Sequence, residues 1–306
     1  PMEFKFGVDS FIWAENFGEK DLWVIPKAKE LGFDYLDLAI AHPETFPLEK
    51  AKAEIDRCGI VPVTTTTLGR ETNIASEDAA ARRKGVESLK LLVDINYRLG
   101  SKILGGVNYA GWGCLSGKPP TEKEYDLSAA AMREVAEYAG GKGDLVIAVE
   151  AVNRFETHLI NTAEQGVAYC KRVGLPNMKV HLDCFHMNIE ETSFPDAVKT
   201  CGREHLGYVH VNESNRGIPG TGLVRWKAFF AALKDVGYLG PLVIESFDPN
   251  FEELSNNCAI WRRFTDTGEE LAVQGLANLK QITAPGRTPR PHRQTITLPP
   301  APGPAP

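Results

Sequence analysis

Val146–Glu190 reads VIAVEAVNRFETHLINTAEQGVAYCKRVGLPNMKVHLDCFHMNIE. Two short apolar runs, Leu145–Val149 and Met178–Leu182, each end in a carboxylate, Glu150 and Asp183. The intervening Asn161–Val173 has the pattern of one helix, with Thr162 as a cap ahead of Ala163, Glu164 and Gln165. The order is therefore strand, acid, loop, helix, strand, acid. Parallel β/α proteins carry their chemistry at the carboxyl ends of their strands, so acids on two successive strand ends mark a candidate site. The plainer alternative is that each acid caps the next helix or meets a surface lysine.

The same alternation extends outward in both directions. Phe4–Val8, Tyr35–Ala39, Ile60–Thr66 and Lys102–Gly106 read as strands one to four. Helices are expected at Leu22–Leu31, Leu48–Cys58, from a Ser76 cap to Leu99, and at Glu122–Gly140. Beyond the quoted stretch come a helix at Phe194–Cys201, a strand at Leu206–Val211, a helix at Trp226–Val236, a strand at Leu242–Ser246 and a closing helix at Trp261–Ile282. Eight such units predict an α/β chain folded as a single-domain (β/α)8 TIM barrel over residues 1–284. A doubly wound open sheet fits less well, because no Gly-rich nucleotide turn follows a strand. Residues 285–306 hold eight prolines in 22 positions. That tail is expected to be extended or disordered, a linker or artificial extension without a catalytic role.

The chain has 306 residues, 43% hydrophobic and 24% charged, with a formal net charge of −6. These values suit a globular protein with a large core and argue against nucleic-acid binding, which favours a basic face. No apolar run is long enough to span a membrane, and no basic leader precedes an apolar stretch, so a cytoplasmic protein is expected. Six scattered cysteines without a CxxC pair read as free thiols. Cys184 should point away from Asp183, because side chains alternate along a strand.

The last two strands add one ligand-type residue each near their carboxyl ends, His210 and Glu245. Glu150, Asp183, His210 and Glu245 would then ring half of one barrel mouth. Three carboxylates and one imidazole form a hard set suited to Mn2+, Mg2+ or Co2+. Without a cation the acids would repel one another.

Several motifs carry a resemblance: VEAVNRFETHLINT, HLDCFHMNIEE, HVNESNRGIPGTG, VIESF, AIWRRF and SFIW. Together they resemble the ketose 3-epimerases (D-tagatose, D-psicose and L-ribulose 3-epimerases) of the xylose-isomerase-like barrel superfamily, over nearly all of Phe4–Ile282. The resemblance implies that Glu150, Asp183, His210 and Glu245 bind one divalent metal per subunit, usually Mn2+ or Co2+, chelated by O2 and O3 of the sugar. It implies that Glu156, His186 and Arg216 hold O1 and O2, and that Trp13, Phe11 and Trp112 line the pocket. It also implies a homodimer or homotetramer. Epimerisation at C3 requires the neighbouring carbonyl to be polarised, a base on one face and an acid on the other; Glu150 and Glu245 suit the latter roles. The sequence departs from the family at Asn212, where Gly is common, at IESF, and in the threonines of TTTTLG, all bordering the sugar. An aldose–ketose isomerase on the same barrel is the main rival. A phosphodiesterase of the endonuclease type would need more histidines and a basic groove, and a purely sugar-binding protein would not need opposed acids. GIPGTG at Gly217–Gly222 keeps a phosphate cradle open.

Overall fold

The computed structural model describes residues 3–284, and the proline-rich tail lies outside them. Eight strands close into a parallel barrel in which each strand pairs with the next and the first with the last. They are β1 (Phe6–Asp9), β2 (Tyr35–Ala39), β3 (Val61–Leu68), β4 (Ile103–Gly111), β5 (Val146–Glu150), β6 (Met178–Asp183), β7 (Leu206–His210) and β8 (Leu242–Ile244). The helices are α1 (Val24–Glu30), α2 (Leu48–Cys58), α3 (Ala79–Leu99), α4 (Glu122–Lys142), α5 (Ala163–Val173), α6 (Cys184–Glu190), α7 (Phe194–His205), α8 (Trp226–Asp235), α9 (Glu252–Cys258) and α10 (Gly268–Thr283). The expected barrel is present. Among the described residues, no helix is long and apolar enough to cross a membrane.

Strands of such a barrel are covered on both faces, which is why they read as continuous apolar runs. Ile147, Ala148 and Val149 are fully buried. One core lies between strands and helices, and a smaller one, Val63, Ile103, Ala148, Tyr208 and Val243, fills the barrel interior. Interior Ala148, Tyr208 and Val243 each stand two residues before Glu150, His210 and Glu245. With a side-chain period of two, the same alternation that packs the interior lifts those three groups into its upper mouth.

Local chemistry sets the boundaries. Thr162 caps α5 by accepting from the Gln165 backbone N–H, and the Gln165 side chain accepts in return from the Thr162 N–H. Asp78, not Ser76, caps α3. The fourth strand, expected to end at Gly106, continues through Gly111. Gly106 (φ +91°) explains why: a Cβ there would come within 2.1 Å of the Thr66 carbonyl oxygen, so the β3–β4 approach excludes any side chain. Helices α6 and α9 were not expected, and the last helix begins at Gly268 rather than Trp261, with Thr267 as its cap. All six cysteines are free, and Cys184 is buried among apolar side chains away from the barrel mouth.

Candidate active site

Four strand ends converge as expected. Glu150 closes β5, Asp183 closes β6, His210 closes β7, and Glu245 follows β8 directly. Asp183 and His210 are fully buried, and Glu150 and Glu245 nearly so.

Asp183 performs both of the roles its position suggested. Its Oδ1 accepts from the backbone N–H of Phe185 (2.7 Å) and caps α6. Its Oδ2 faces the barrel mouth, 2.6 Å from Asn212 Nδ2, 3.3 Å from His210 Nδ1 and 3.3 Å from Arg216 Nη1. Arg216 Nη1 also donates to Glu245 Oε2 at 2.7 Å. Its guanidinium lies over the rings of Phe185 and Phe247, at 4.1 and 5.0 Å from their centroids.

Arg216 has φ +65°, a left-handed conformation that costs a non-glycine residue about 1–3 kcal/mol. The backbone holds it there: its N–H donates to the Glu213 carbonyl (3.0 Å) and its own carbonyl accepts from Ser246 Oγ (2.7 Å). The strain aims the guanidinium inward.

His210 is fixed from the opposite side of the barrel. Its Nε2 lies 3.2 Å from Asp37 Oδ2, on β2. Asp37 also accepts from Tyr208 Oη (2.5 Å) and Thr65 Oγ1 (3.0 Å), so it is an acceptor towards all three. His210 must therefore carry its proton on Nε2, which leaves Nδ1 facing Asp183 Oδ2 at 3.3 Å and Glu245 Oε2 at 3.5 Å. A bare lone pair between two carboxylate oxygens is repelled; a proton or a metal ion at Nδ1 is what the position demands.

His186 is oriented in a similar way. Its Nδ1 lies 3.0 Å from the Asn153 backbone N–H, which donates to it, and on the other side of the ring Nε2 lies 3.3 Å from Arg216 Nη2. That atom looks towards Glu150 Oε1 (3.7 Å) and Glu156 Oε2 (3.9 Å). Glu156 in turn accepts from Trp112 Nε1 (2.8 Å) and Asn153 Nδ2 (3.0 Å).

The surroundings push these groups apart in acidity. Burial, reinforced by the neighbouring Glu245 and Asp183, raises the Glu150 carboxyl well above its usual range against the pull of His210. For Asp183 burial acts in the same direction, but Arg216, His186 and His210 outweigh it and hold the carboxyl well below that range. Burial likewise opposes ionisation of Glu245, and His210 with Arg216 again prevails and lowers it. Burial disfavours the His210 imidazolium, yet Glu245, Asp183 and Asp37 raise it well above 6.5.

The donor set fits a hard divalent cation. Ligand atoms of Glu150, Asp183 and His186 lie within 4.8 Å of one another, as do those of Asp9, His210 and Glu245. Asp183 and His210 join the two groups. Asp9 Oδ2 is buried and has no hydrogen-bond partner among the described residues. The Arg216 guanidinium stands between Asp183 and Glu245 as a resident cation, so the four expected ligands do not form a single compact cluster. The charge of the pocket still calls for a positive centre.

The site opens into a cleft of about 450 Å3, walled in part by Phe11, Trp112, Glu156, His186, Thr66 and Phe247. Trp13 does not wall it, against expectation. It turns away and packs edge-on against Trp23, with centroids 6.4 Å apart. Asp37 and Asn153 were not anticipated in the site, whereas Asn212 and Phe247 were expected at its border. Asp37 is the one that side-chain alternation could have flagged, as a lone acid inside the apolar strand YLDLA.

A closed eight-stranded barrel with acids and a histidine at its carboxyl-end mouth defines a xylose isomerase-like TIM barrel, and the model of that family matches residues 25–282. An L-ribulose 3-epimerase of Methylomonas sp. is 35% identical over 92% of this chain and 98% of its own length. A ketose 3-epimerase of Arthrobacter globiformis is 35% identical over 92% and 97%. The crystal structure of the Methylomonas sp. D-allulose 3-epimerase in complex with D-allulose superposes with a TM-score of 0.86, at 35% identity, covering 92% of this chain and 98% of that one. The chain belongs to the xylose isomerase-like TIM barrel family and, within it, to the ketose 3-epimerases, which are isomerases.

Proposed function

We propose that this isomerase inverts C3 of free ketoses, interconverting pairs of the D-fructose/D-psicose (allulose), D-tagatose/D-sorbose and L-ribulose/L-xylulose type, with one divalent ion, foremost Mn2+, at Glu150, Asp183, His210 and Glu245. The observation that carries this reading is the pair of carboxylates, Glu150 and Glu245, held on opposite sides of one buried mouth with His210 Nδ1 turned towards the acids. A divalent ion bound there would polarise the C2 carbonyl and offset the negative charge that develops when C3 is deprotonated. Co2+ and Mg2+ suit the same ligands.

The remaining work falls to the chain. One of the two glutamates takes the C3 proton from one face, and the other returns a proton from the opposite face. Their roles exchange with the epimer bound. Arg216 and His186 donate to the O1 and O2 oxygens, and Glu156 accepts a hydroxyl proton. Trp112 anchors Glu156, while Phe11 offers an apolar wall. Trp13 has no part, since it faces Trp23.

NMR of D-fructose in D2O with metal-stripped enzyme, before and after Mn2+ addition, tests the reading. Deuterium at C3 with D-psicose appearing only with Mn2+ is expected. Deuterium at C1 with an aldose product would instead show an aldose–ketose isomerase. Exposed Leu223, Leu239 and Trp261 lie near the helices that follow β7 and β8, and they support a homodimer or homotetramer. Light scattering of a monomer at working concentration would reject that assembly.

A further inference from the structure

We infer that Asn212 is a positioning residue for the metal site: its side-chain amide ties the Asp183 carboxylate to the backbone that carries Glu245. This rests on the metal reading above.

Asn212 follows His210 by two residues and is 1% exposed. The backbone pairing of β7 with β8 runs through Val209–Leu242 and His210–Val243, and the Val211 N–H donates to the Val243 carbonyl. β8 then stops at Ile244, leaving the Glu245 N–H without a strand partner. Asn212 Oδ1 accepts from it at 2.6 Å. The side chain thus adds one more rung where the ladder ends. Because Oδ1 is committed to an N–H donor, the other arm is the NH2 group, and it donates to Asp183 Oδ2 at 2.6 Å.

The consequence is mechanical. Asp183 comes from β6 and Glu245 from beyond β8, two strands that flank β7 without touching each other. One planar amide just past β7 ties the Asp183 carboxylate to the Glu245 backbone, beside the Arg216 guanidinium that bridges the two carboxylates. Neither Asn212 nor Asp183 is among the residues that wall the cleft. Loss of the amide frees the Glu245 backbone and removes the shortest contact of Asp183 Oδ2, leaving that oxygen to His210 and Arg216. A ligand pair held less firmly binds its ion less tightly.

Calorimetric titration of the metal-stripped full chain with Mn2+, for the unsubstituted protein and Asn212→Ala, tests this. The expected result is a Kd raised by about tenfold or more. The metal-free variant should melt below the parent, because the Glu245 N–H loses its acceptor, and the loss of Mn2+ affinity should persist at temperatures far below that midpoint. Asn212→Leu, of similar size but unable to make either bond, should reproduce the loss of affinity and serves if the alanine variant does not fold. A Mn2+ affinity within threefold of the parent in a folded variant overturns the inference, even where the melting midpoint falls. If the unsubstituted protein binds no Mn2+, the metal reading itself fails and this inference goes with it.

Discussion

Asp37 Oδ2 and His210 Nε2 meet 3.2 Å apart across the interior of the barrel, from β2 to β7. The contact decides which imidazole nitrogen is free. With Asp37 also accepting from Tyr208 and Thr65, the proton of His210 is held on Nε2 and Nδ1 is presented to the acids. A carboxylate behind a metal-binding histidine fixes the ring's tautomer and raises its basicity.

Asp37→Asn preserves the shape of that contact and removes its charge. Its expected effect is a Mn2+ Kd raised about 10- to 100-fold with the barrel intact by circular dichroism. Calorimetry on the metal-stripped variant measures it. Unchanged affinity would show that Asp37 supports the core alone.

Glu150→Gln removes the carboxylate that lacks any strong hydrogen-bond donor. Because burial disfavours its charge, the variant should melt no lower than the parent in the metal-free state. Ketose epimerisation and deuterium exchange at C3 should both fall by about 10^2- to 10^4-fold. Exchange within tenfold of the parent would exclude Glu150 as the base or acid.

Metal uptake should be linked to protons. In the metal-free protein His210 is held well above 6.5 and Glu150 well above 4.5, so both keep their protons to a higher pH than the free side chains do, and Mn2+ must compete with those protons. Apparent affinity should therefore rise with pH, and titrations in buffers of different ionisation enthalpy should reveal proton release. A raised folded-state value stabilises the metal-free fold below the unfolded value and loses that contribution as pH rises through the folded one. The metal-free melting midpoint should thus decline as pH rises above the free-histidine value of about 6.5, with the Mn2+-bound form less affected. Binding without proton release would refute this ordering.

The barrel and its four strand-end groups were legible because β5 to β8 are largely apolar runs, each closed by one hydrophilic residue, a pattern local enough to read in the chain. Asp183 looked equally like a helix cap or a site acid, and it is both, one oxygen for each. What escaped depended on partners distant in sequence. β4 was cut short at Gly106 because glycine is poor strand material, yet the neighbouring Thr66 carbonyl leaves room for nothing larger. Trp13 sits two residues from Phe11, but one wall of the cleft takes Phe11 while Trp23 takes Trp13. α6 and α9 are seven residues each, too short to show a helical period. Asp37 stood out only as a lone acid inside the apolar strand YLDLA, and its role is visible only once β2 faces β7.

The segment Gly217–Gly222 resembles a phosphate cradle in sequence, but the fold fills it from within. Glu213 is fully buried and accepts from the backbone N–H groups of Ser214 (2.8 Å), Gly220 (2.9 Å) and Val224 (3.1 Å) and from Trp226 Nε1 (3.1 Å). Those donors are spent on a fixed carboxylate, and a phosphate arriving there would meet its negative charge at close range. Ketose phosphates should accordingly be poor substrates, and inorganic phosphate should not compete with a free ketose in steady-state assays. Glu213→Gln replaces one acceptor oxygen with a donor that faces other donors, so it should cost about 2–3 kcal/mol in chemical denaturation. It should also slow turnover, because the Glu213 carbonyl helps to hold the strained backbone of Arg216. Competitive inhibition by phosphate, or a phosphorylated ketose turned over as fast as the free sugar, would show that the cradle opens after all.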